Sequence, residues 1–274
     1  MSIIIISSDV REIEENIARK VADELGYNLL DRSILEDVAA KHQINSEKLK
    51  EYMETTPSLF KNLSSKQWRY YLASIEAEVL ERLVEDKIVC SGLAANLYVT
   101  GVSHALKVHL LSGNRECIEN IGVQGAQKEP IIKKTRKDLD NELQQRKKWS
   151  LTAYNCDETD LSKYDMVINL DQIDPAEAVK TITSAVEYRK FQVMTYSMKC
   201  LSNLALAARV NVKLLESMTD IKVEAKDGSV VVFTKASNRQ KRKKIATIKE
   251  LAGNVEGVGY VEVHVNKNIN DKSA

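Results

Sequence analysis

The chain has 274 residues and a formal net charge of +1, with 43% hydrophobic and 29% charged residues, values that describe a globular protein of one large domain or two. Its 3 Pro and 10 Gly exclude collagen-like and low-complexity chains. No apolar run approaches the roughly 18 residues needed to span a bilayer. The start, Met-Ser and four Ile before Ser7, is too short for a signal-peptide core and lacks a basic lead, so a buried strand of a cytoplasmic protein is expected.

The first 190 residues alternate strand and helix signals. Ile3 to Ile6 is a β-branched strand. Ile13, Ile17, Val21 and Leu25 recur at four-residue steps, which predicts an amphipathic helix, and Gly26 stands where a C-terminal cap belongs. A short strand follows at Asn28-Leu29-Leu30. Helices are expected over 32–42 and 46–54, a break at Pro57, and a long helix over 65–85. Strands are expected over 87–91 and 105–111, a helix over 115–123, and a highly charged helix over 128–149. Tyr164-Asp165 announces a fifth strand at 166–169, and Pro175 opens a helix to about Tyr188. This alternation predicts an α/β fold, a mostly parallel sheet flanked by helices, with ligands at the carboxyl ends of the strands.

The last 80 residues change character. A helix over 201–218 offers Leu204, Val210, Leu214 and Leu215 to a core. Ile221 to Ala225 and Val230 to Phe233 flank Asp227-Gly228, a hairpin signal. A helix over 238–253, a turn at 255–259 and a strand over 260–265 complete a second, small α+β domain. The expected boundaries are 1–190, a linker at 191–196, the small domain at 197–267 and a tail at 268–274. From Ser197 onward the net charge is +6, against −5 for the rest. The excess concentrates in Arg239, Lys241, Arg242, Lys243 and Lys244, read either as a solvated helix face or as a patch for an anionic partner.

Cys90, Cys117, Cys156 and Cys200 are scattered, as are His42, His104, His109 and His264. Reduced, mostly buried thiols are expected. No ligand pair is close enough in sequence for a zinc site, so no metal centre is expected.

Several ungapped pieces resemble the cytidylate-kinase-like branch of the nucleoside monophosphate kinases. They are residues 17–32, Ile88 to Asn96 (similar to "VIVGRGAN"), Tyr164 to Asn169 (similar to "YDLVIN") and Pro175 to Val179. The resemblance covers about residues 1–190 and implies a P-loop kinase-like fold. Residues 197–267 resemble a BON domain, through Lys226 to Val230 and Val255 to Val261. Such modules are linked to ligand, lipid or partner binding.

The kinase family cradles phosphates in a glycine-rich loop, approximately "REYGSGGR", at a helix N-terminus. The same positions here are Ser8, Asp9, Val10, Arg11, Glu12, Ile13, Glu14 and Glu15, with no glycine. Ile13 does not readily take positive φ. Glu12, Glu14 and Glu15 repel phosphate but suit a helix N-terminus with no anion bound, so a helix start capped by its own carboxylates is expected. The family's Arg after the third strand falls on Leu93, its paired Arg residues fall on Cys117 and Asn120, and its lid Arg is missing at Asp140 to Leu143. A cationic lid remains open through Lys133, Lys134, Arg136, Lys137, Arg146, Lys147 and Lys148, which otherwise read as a solvated helix face. Asp31, Arg32, Gly92 and Arg115 form the candidate ligand pocket, with Asp31 alternatively capping the next helix.

The resulting expectation is a catalytically inactive kinase-like protein, with no catalytic residues and a regulatory, ligand-sensing or partner-binding role. Its partners would be a nucleotide or other small ligand, and a protein or anionic partner for the C-terminal domain. One alternative is an active CMP-type kinase with an unorthodox phosphate site, which alone would call for ATP and Mg²⁺. Another is a scaffold homodimer, with Trp68, Tyr70 and Tyr71 beside Leu72, Ile75 and Val79 as either core or interface.

Overall fold

The computed structural model describes residues 2–54, 65–112, 136–237 and 239–265. Five strands form one parallel sheet, in the order β2-β3-β1-β4-β5: β1 (Ile3–Ser8), β2 (Asn28–Leu30), β3 (Ile88–Ser91), β4 (Ala105–Leu111) and β5 (Met166–Asn169). The α/β expectation holds. β1 is central, with Ile3 opposite Ile88 on one side and Ala105 on the other. Successive strand side chains point to opposite faces, so its four isoleucines split. Ile3 and Ile5 enter one core and Ile4 and Ile6 the other, all fully buried.

The first face is covered by α2 (Ile34–His42), α3 (Ser46–Tyr52), α4 (Ser65–Val84) and the carboxyl end of α6 (Arg136–Tyr154), which contributes Trp149. A four-residue helix, α5 (Ala95–Tyr98), follows β3 and was not expected. The second face is covered by α1 (Arg11–Leu25) and α7 (Pro175–Ala185). Gly26 ends α1 in the left-handed conformation, φ +64°, as its cap position predicts. Asp174 caps α7, its side chain accepting from the Ala176 N–H, and Pro175 follows at the first helical position.

The stretch expected as a linker over 191–196 begins with Phe191 buried against the second core and runs into α8 (Thr195–Leu215). Ser197 of α8 is fully buried, and its hydroxyl lies 2.6 Å from His104 Nδ1. α8 serves two cores at once. Leu201, Ala205, Ala208, Val212 and Leu215, at alternating steps of four and three, pack on the parallel-sheet unit. Leu206, Val210 and Leu214 pack beneath a second sheet. Of the four residues expected to serve the small domain, only Val210 and Leu214 do so, because Leu204 and Leu215 fall on the other face of the helix.

The second sheet holds β6 (Ile221–Lys226), β7 (Ser229–Thr234) and β8 (Tyr260–Val265), with β6–β7 antiparallel and β7–β8 parallel. Asp227 and Gly228 turn the hairpin at φ +47° and +81°. α9 (Lys241–Gly253) covers the same face as α8 through Ile248 and Ala252. It starts three residues later than expected, leaving Arg239 in the preceding turn.

Trp68, Leu72, Ile75 and Val79 lie in the first core, and Tyr70 and Tyr71 pack against it, so the core alternative for this stretch describes the chain. Cys90 is buried, Cys156 and Cys200 are half-buried, and all three are free. The expected helix over 115–123, Cys117, Asn120, Pro57 and the tail lie outside the described residues. Among the described residues, no helix is long and apolar enough to cross a membrane.

Candidate functional site

In an open parallel sheet the ligand crevice lies outside the carboxyl ends of the strands, where the strand order reverses. Here that point is the ends of β1 and β3, at Ser8 and Ser91. The sequence-predicted residues Ser8 to Glu15, Asp31, Arg32 and Gly92 all belong to the strand ends and first helical turns around this edge.

The turn from β1 into α1 is short. Val10 is extended at the helix entry and its side chain supplies no cap. Its N–H is taken by Ser8 Oγ at 3.2 Å, while the Ser8 hydroxyl donates to the Leu110 carbonyl at 3.0 Å. Glu14, on the first turn of α1, folds back into the crevice and is only 7% exposed. One carboxylate oxygen accepts the Ser8 N–H at 3.0 Å, and the other accepts the Ser91 hydroxyl at 3.2 Å. Gly92, with φ +62°, lies directly against Glu14 Oε1, and a Cβ there would collide with it. Of the three carboxylates expected to cap this helix start, Glu14 alone is buried, while Glu12 is exposed and Glu15 half-buried.

The backbone after β3 is strained to make this edge. Gly92, Leu93 and Ala94 are successive left-handed residues, at φ +62°, +57° and +56°. Such a conformation costs non-glycine residues on the order of 1 kcal/mol each. Leu93, which the sequence resemblance sets against an arginine, has its side chain buried in the first core.

Arg146 closes the crevice from α6. Its Nη1 donates to the Ser8 carbonyl at 2.6 Å and its Nε to Glu158 at 2.8 Å. The Tyr164 hydroxyl donates to the Glu158 carbonyl, and the Asn96 amide donates to the Tyr164 hydroxyl. This joins two of the pieces that carry the family resemblance. The solvated-face reading of the charged run therefore fails for Arg146, whereas Lys148 is exposed and Lys147 pairs with Asp157 at 2.9 Å.

Burial pushes the Glu14 carboxyl above its ordinary range, against the pull of Arg146, the Ser8 N–H, Arg32 and Ser91. Burial also works against the Arg146 charge, but Glu158 and Glu14 outweigh it and hold the guanidinium charged.

At the mouth, Arg11 and Arg32 share one oxygen of Glu54, at 2.5 and 2.9 Å. Burial raises Glu54, but the two guanidinium groups overcome it and hold the carboxylate below its usual range. Asp31 accepts the Ser33 N–H at 2.9 Å, so it serves the start of α2, the alternative role the sequence allowed. Asp9 lies 3.1 Å from His109 Nε2. Arg115 lies outside the described residues, as do Lys133 and Lys134. Among the described residues, no cluster of three or more His, Cys, Asp or Glu is placed to hold a metal ion.

The arrangement is an anion site that supplies its own anion. A backbone N–H, a hydroxyl and nearby guanidinium charge converge as they would on phosphate, and a carboxylate from the same chain fills the position. A phosphate there would meet the Glu14 charge and the space it occupies. Sequence reasoning missed Glu54 and named Arg146 only as one of seven possible lid cations; the two come 43 and 138 residues after their partners Arg11 and Ser8.

The basic residues of the C-terminal unit form a separate feature. Arg239, Lys241, Arg242 and Lys243 are exposed, while Lys244 is half-buried and donates to the Lys235 carbonyl at 2.7 Å. They sit at or just before the start of α9, whose first turn has no acidic residue and no side-chain cap.

Residues 3–172 match the model of the family described as "Cytidylate kinase-like family". A protein named cytidylate kinase, from Archaeoglobus fulgidus, is 24% identical over 178 residues, covering 65% of this chain and 90% of that protein. A crystal structure of an uncharacterized protein from Eubacterium ventriosum is similar over 69% of this chain and 100% of that one, with TM-score 0.44 and 16% identity. The shikimate kinase of Bacteroides thetaiotaomicron is similar over 68% of this chain and 99% of that one, with TM-score 0.41 and 13% identity.

Proposed function

From the premise that the chain belongs to the cytidylate kinase-like family, we propose that it is a catalytically inactive member with a regulatory role. It keeps the kinase sheet as a scaffold and acts by binding a ligand or partner through its kinase-like and BON-like halves. One observation carries this reading: the Glu14 carboxylate accepts the Ser8 N–H and the Ser91 hydroxyl at the strand ends, and in this reading it takes the place of a nucleotide's phosphates.

Phosphoryl transfer depends on preorganised donors and cations aimed at charge developing on the transferred group. Loss of one such donor typically lowers the rate about 10²–10³-fold. Here the loop glycines are absent. Arg11 and Arg32 are bound to Glu54, and Arg146 is bound to Glu158 and Ser8. A coupled assay with ATP, Mg²⁺ and CMP is expected to give a rate equal to the protein-free control. Sustained turnover that disappears in Arg146→Ala would overturn the reading.

A second reading, an active kinase with an unorthodox phosphate site, is favoured by the same three arginines around one strand edge. It requires Glu14 to leave and Arg11 to turn from Glu54 to substrate. Arg11→Ala must then abolish turnover, and unchanged turnover in that variant rules the arrangement out.

A further inference from the structure

A second cleft, of about 300 Å³, opens on the other side of α4, at the seam between the two units. Its walls come from Trp68 and Leu72 of α4, Tyr154 of α6, and Leu215 and Ile221 of the C-terminal unit. Into it faces Glu76, half-buried near the middle of α4.

Glu76 differs from the other acids on its helix. Glu78 bonds Lys41 at 2.7 Å, and Glu81 bonds Lys41 and Arg209, both at 3.2 Å. Among the described residues, no donor or cation lies within bonding distance of the Glu76 carboxylate. The cation at the cleft mouth, Arg69, is 3.9 Å from Asp220 and so already faces an acid. Behind Glu76 the Tyr98 and Tyr154 hydroxyls bond each other at 3.1 Å, and burial and the Glu76 charge push both far above their ordinary range. A carboxylate without a bonded partner, set beside Trp68 and Leu72, costs free energy that a Gln or Leu in the same helical position would not. The cleft thus holds two acids and one engaged cation in a lining that mixes apolar side chains with Thr152 and Asn211, and its volume lies at the lower end of ordinary small-molecule sites.

We propose that this seam cleft binds a small organic cation, an ammonium or guanidinium group on a short apolar body, with Glu76 as its counter-ion. Asn211 of α8 lines the same cleft as a polar group. Because α4 and α6 supply one wall and α8 and β6 the other, an occupant touches both units. The site is separate from the strand-end crevice and does not depend on whether that crevice is inactive. Burial alone places the Glu76 carboxyl at about 7. A bound cation therefore expels its proton, and binding strengthens between pH 6 and 8. The other titratable or charged groups facing it are Arg69, Asp220 and the two tyrosines, and burial keeps the tyrosine hydroxyls neutral in that window.

Calorimetric titration of the full chain with phenethylamine, cadaverine and agmatine tests the site, with 2-phenylethanol as the neutral match to phenethylamine. The expected result is that at least one amine binds at about 1 mM or tighter, with protons released at pH 7. E76Q should weaken it about tenfold or more, the loss of a charge-assisted contact. Phenethylamine should exceed the alcohol by a similar factor, a comparison that needs no variant. E76Q removes an uncompensated carboxylate, so its melting temperature is expected to be equal or higher. Absence of amine binding in this range, equal binding of amine and alcohol, or undiminished binding by E76Q would each overturn the proposal.

Discussion

Glu14 and Glu76 are both acids whose carboxyls burial pushes above the ordinary range, and their surroundings are opposite. Glu14 is met by the Ser8 N–H, the Ser91 hydroxyl and the charges of Arg146 and Arg32. Glu76 faces a cleft of mixed lining, Trp68, Leu72 and Ile221 together with Thr152 and Asn211, with no bonded partner among the described residues. At the strand edge the polar groups that could greet a ligand are consumed within the chain. At the seam the chain leaves a charge without an answer. Such an acid is therefore informative through its partners and not through its burial: in the readings proposed above, the first fills its own site and the second leaves one open.

The contrast can be broken most forcefully at Arg146. Arg146→Met removes the donor to Glu158 and to the Ser8 carbonyl, and the larger of the two guanidinium charges acting on Glu14. Urea denaturation is expected to show a loss of about 2–4 kcal/mol, as for a charge pair broken in a partly buried network. A loss within measurement error would mean that the crevice is not held from α6.

Gly92→Ala is expected to cost about 2 kcal/mol, because the new methyl meets Glu14 Oε1 and the backbone is left-handed. In a Glu14→Ala background the steric part disappears and the strain remains. A double-mutant cycle should give a coupling of about 1 kcal/mol. Strict additivity would place the Glu14 carboxylate elsewhere.

The effect at Glu76 is smaller and has a definite sign. Its folded value, about 7, lies above the ordinary 4.5. The stability associated with its protonated form is complete below pH 4.5 and is lost as pH rises through 7. Relative to wild type, E76Q should gain about 1–2 kcal/mol between pH 5 and 8, after allowance for partial exposure. A constant difference across that range would show that Glu76 finds a partner in solution.

The smallest expected change concerns charge left open at the start of α9. Lys241→Glu places a carboxylate at a helix N-terminus that carries only cations, and is expected to stabilise by about 0.5 kcal/mol in low salt. A destabilisation would mean that these cations already serve a contact within the fold.

Much of the fold was readable because its signals are local. The Ile3–Ile6 run, the Gly26 cap and the Asp227-Gly228 hairpin each follow from a few adjacent residues. The expectation that α1 would be capped by its own carboxylates also came from local charge, but three acids were equivalent in sequence. The choice of Glu14 depends on which side of α1 meets the ends of β1 and β3. Arg146 looked like one more cation in a solvated run because its partners are remote in sequence. Glu76 gave no signal, since an acid among charged helix residues looks exposed until α8 packs beside it. The double role of α8 was partly visible in the 201, 205, 208, 212, 215 spacing, but a second stripe at 206, 210 and 214 gains meaning only once a second sheet stands against it.

Direct titration of the purified chain with ATP and with CMP, with and without Mg²⁺, tests the self-filled crevice most directly. A crevice already occupied by Glu14 predicts no binding heat for either nucleotide at concentrations around 1 mM, the weak end of specific recognition. Micromolar binding that requires Arg11, Arg32 or Arg146 would contradict it and would mean that Glu14 yields its place to phosphate.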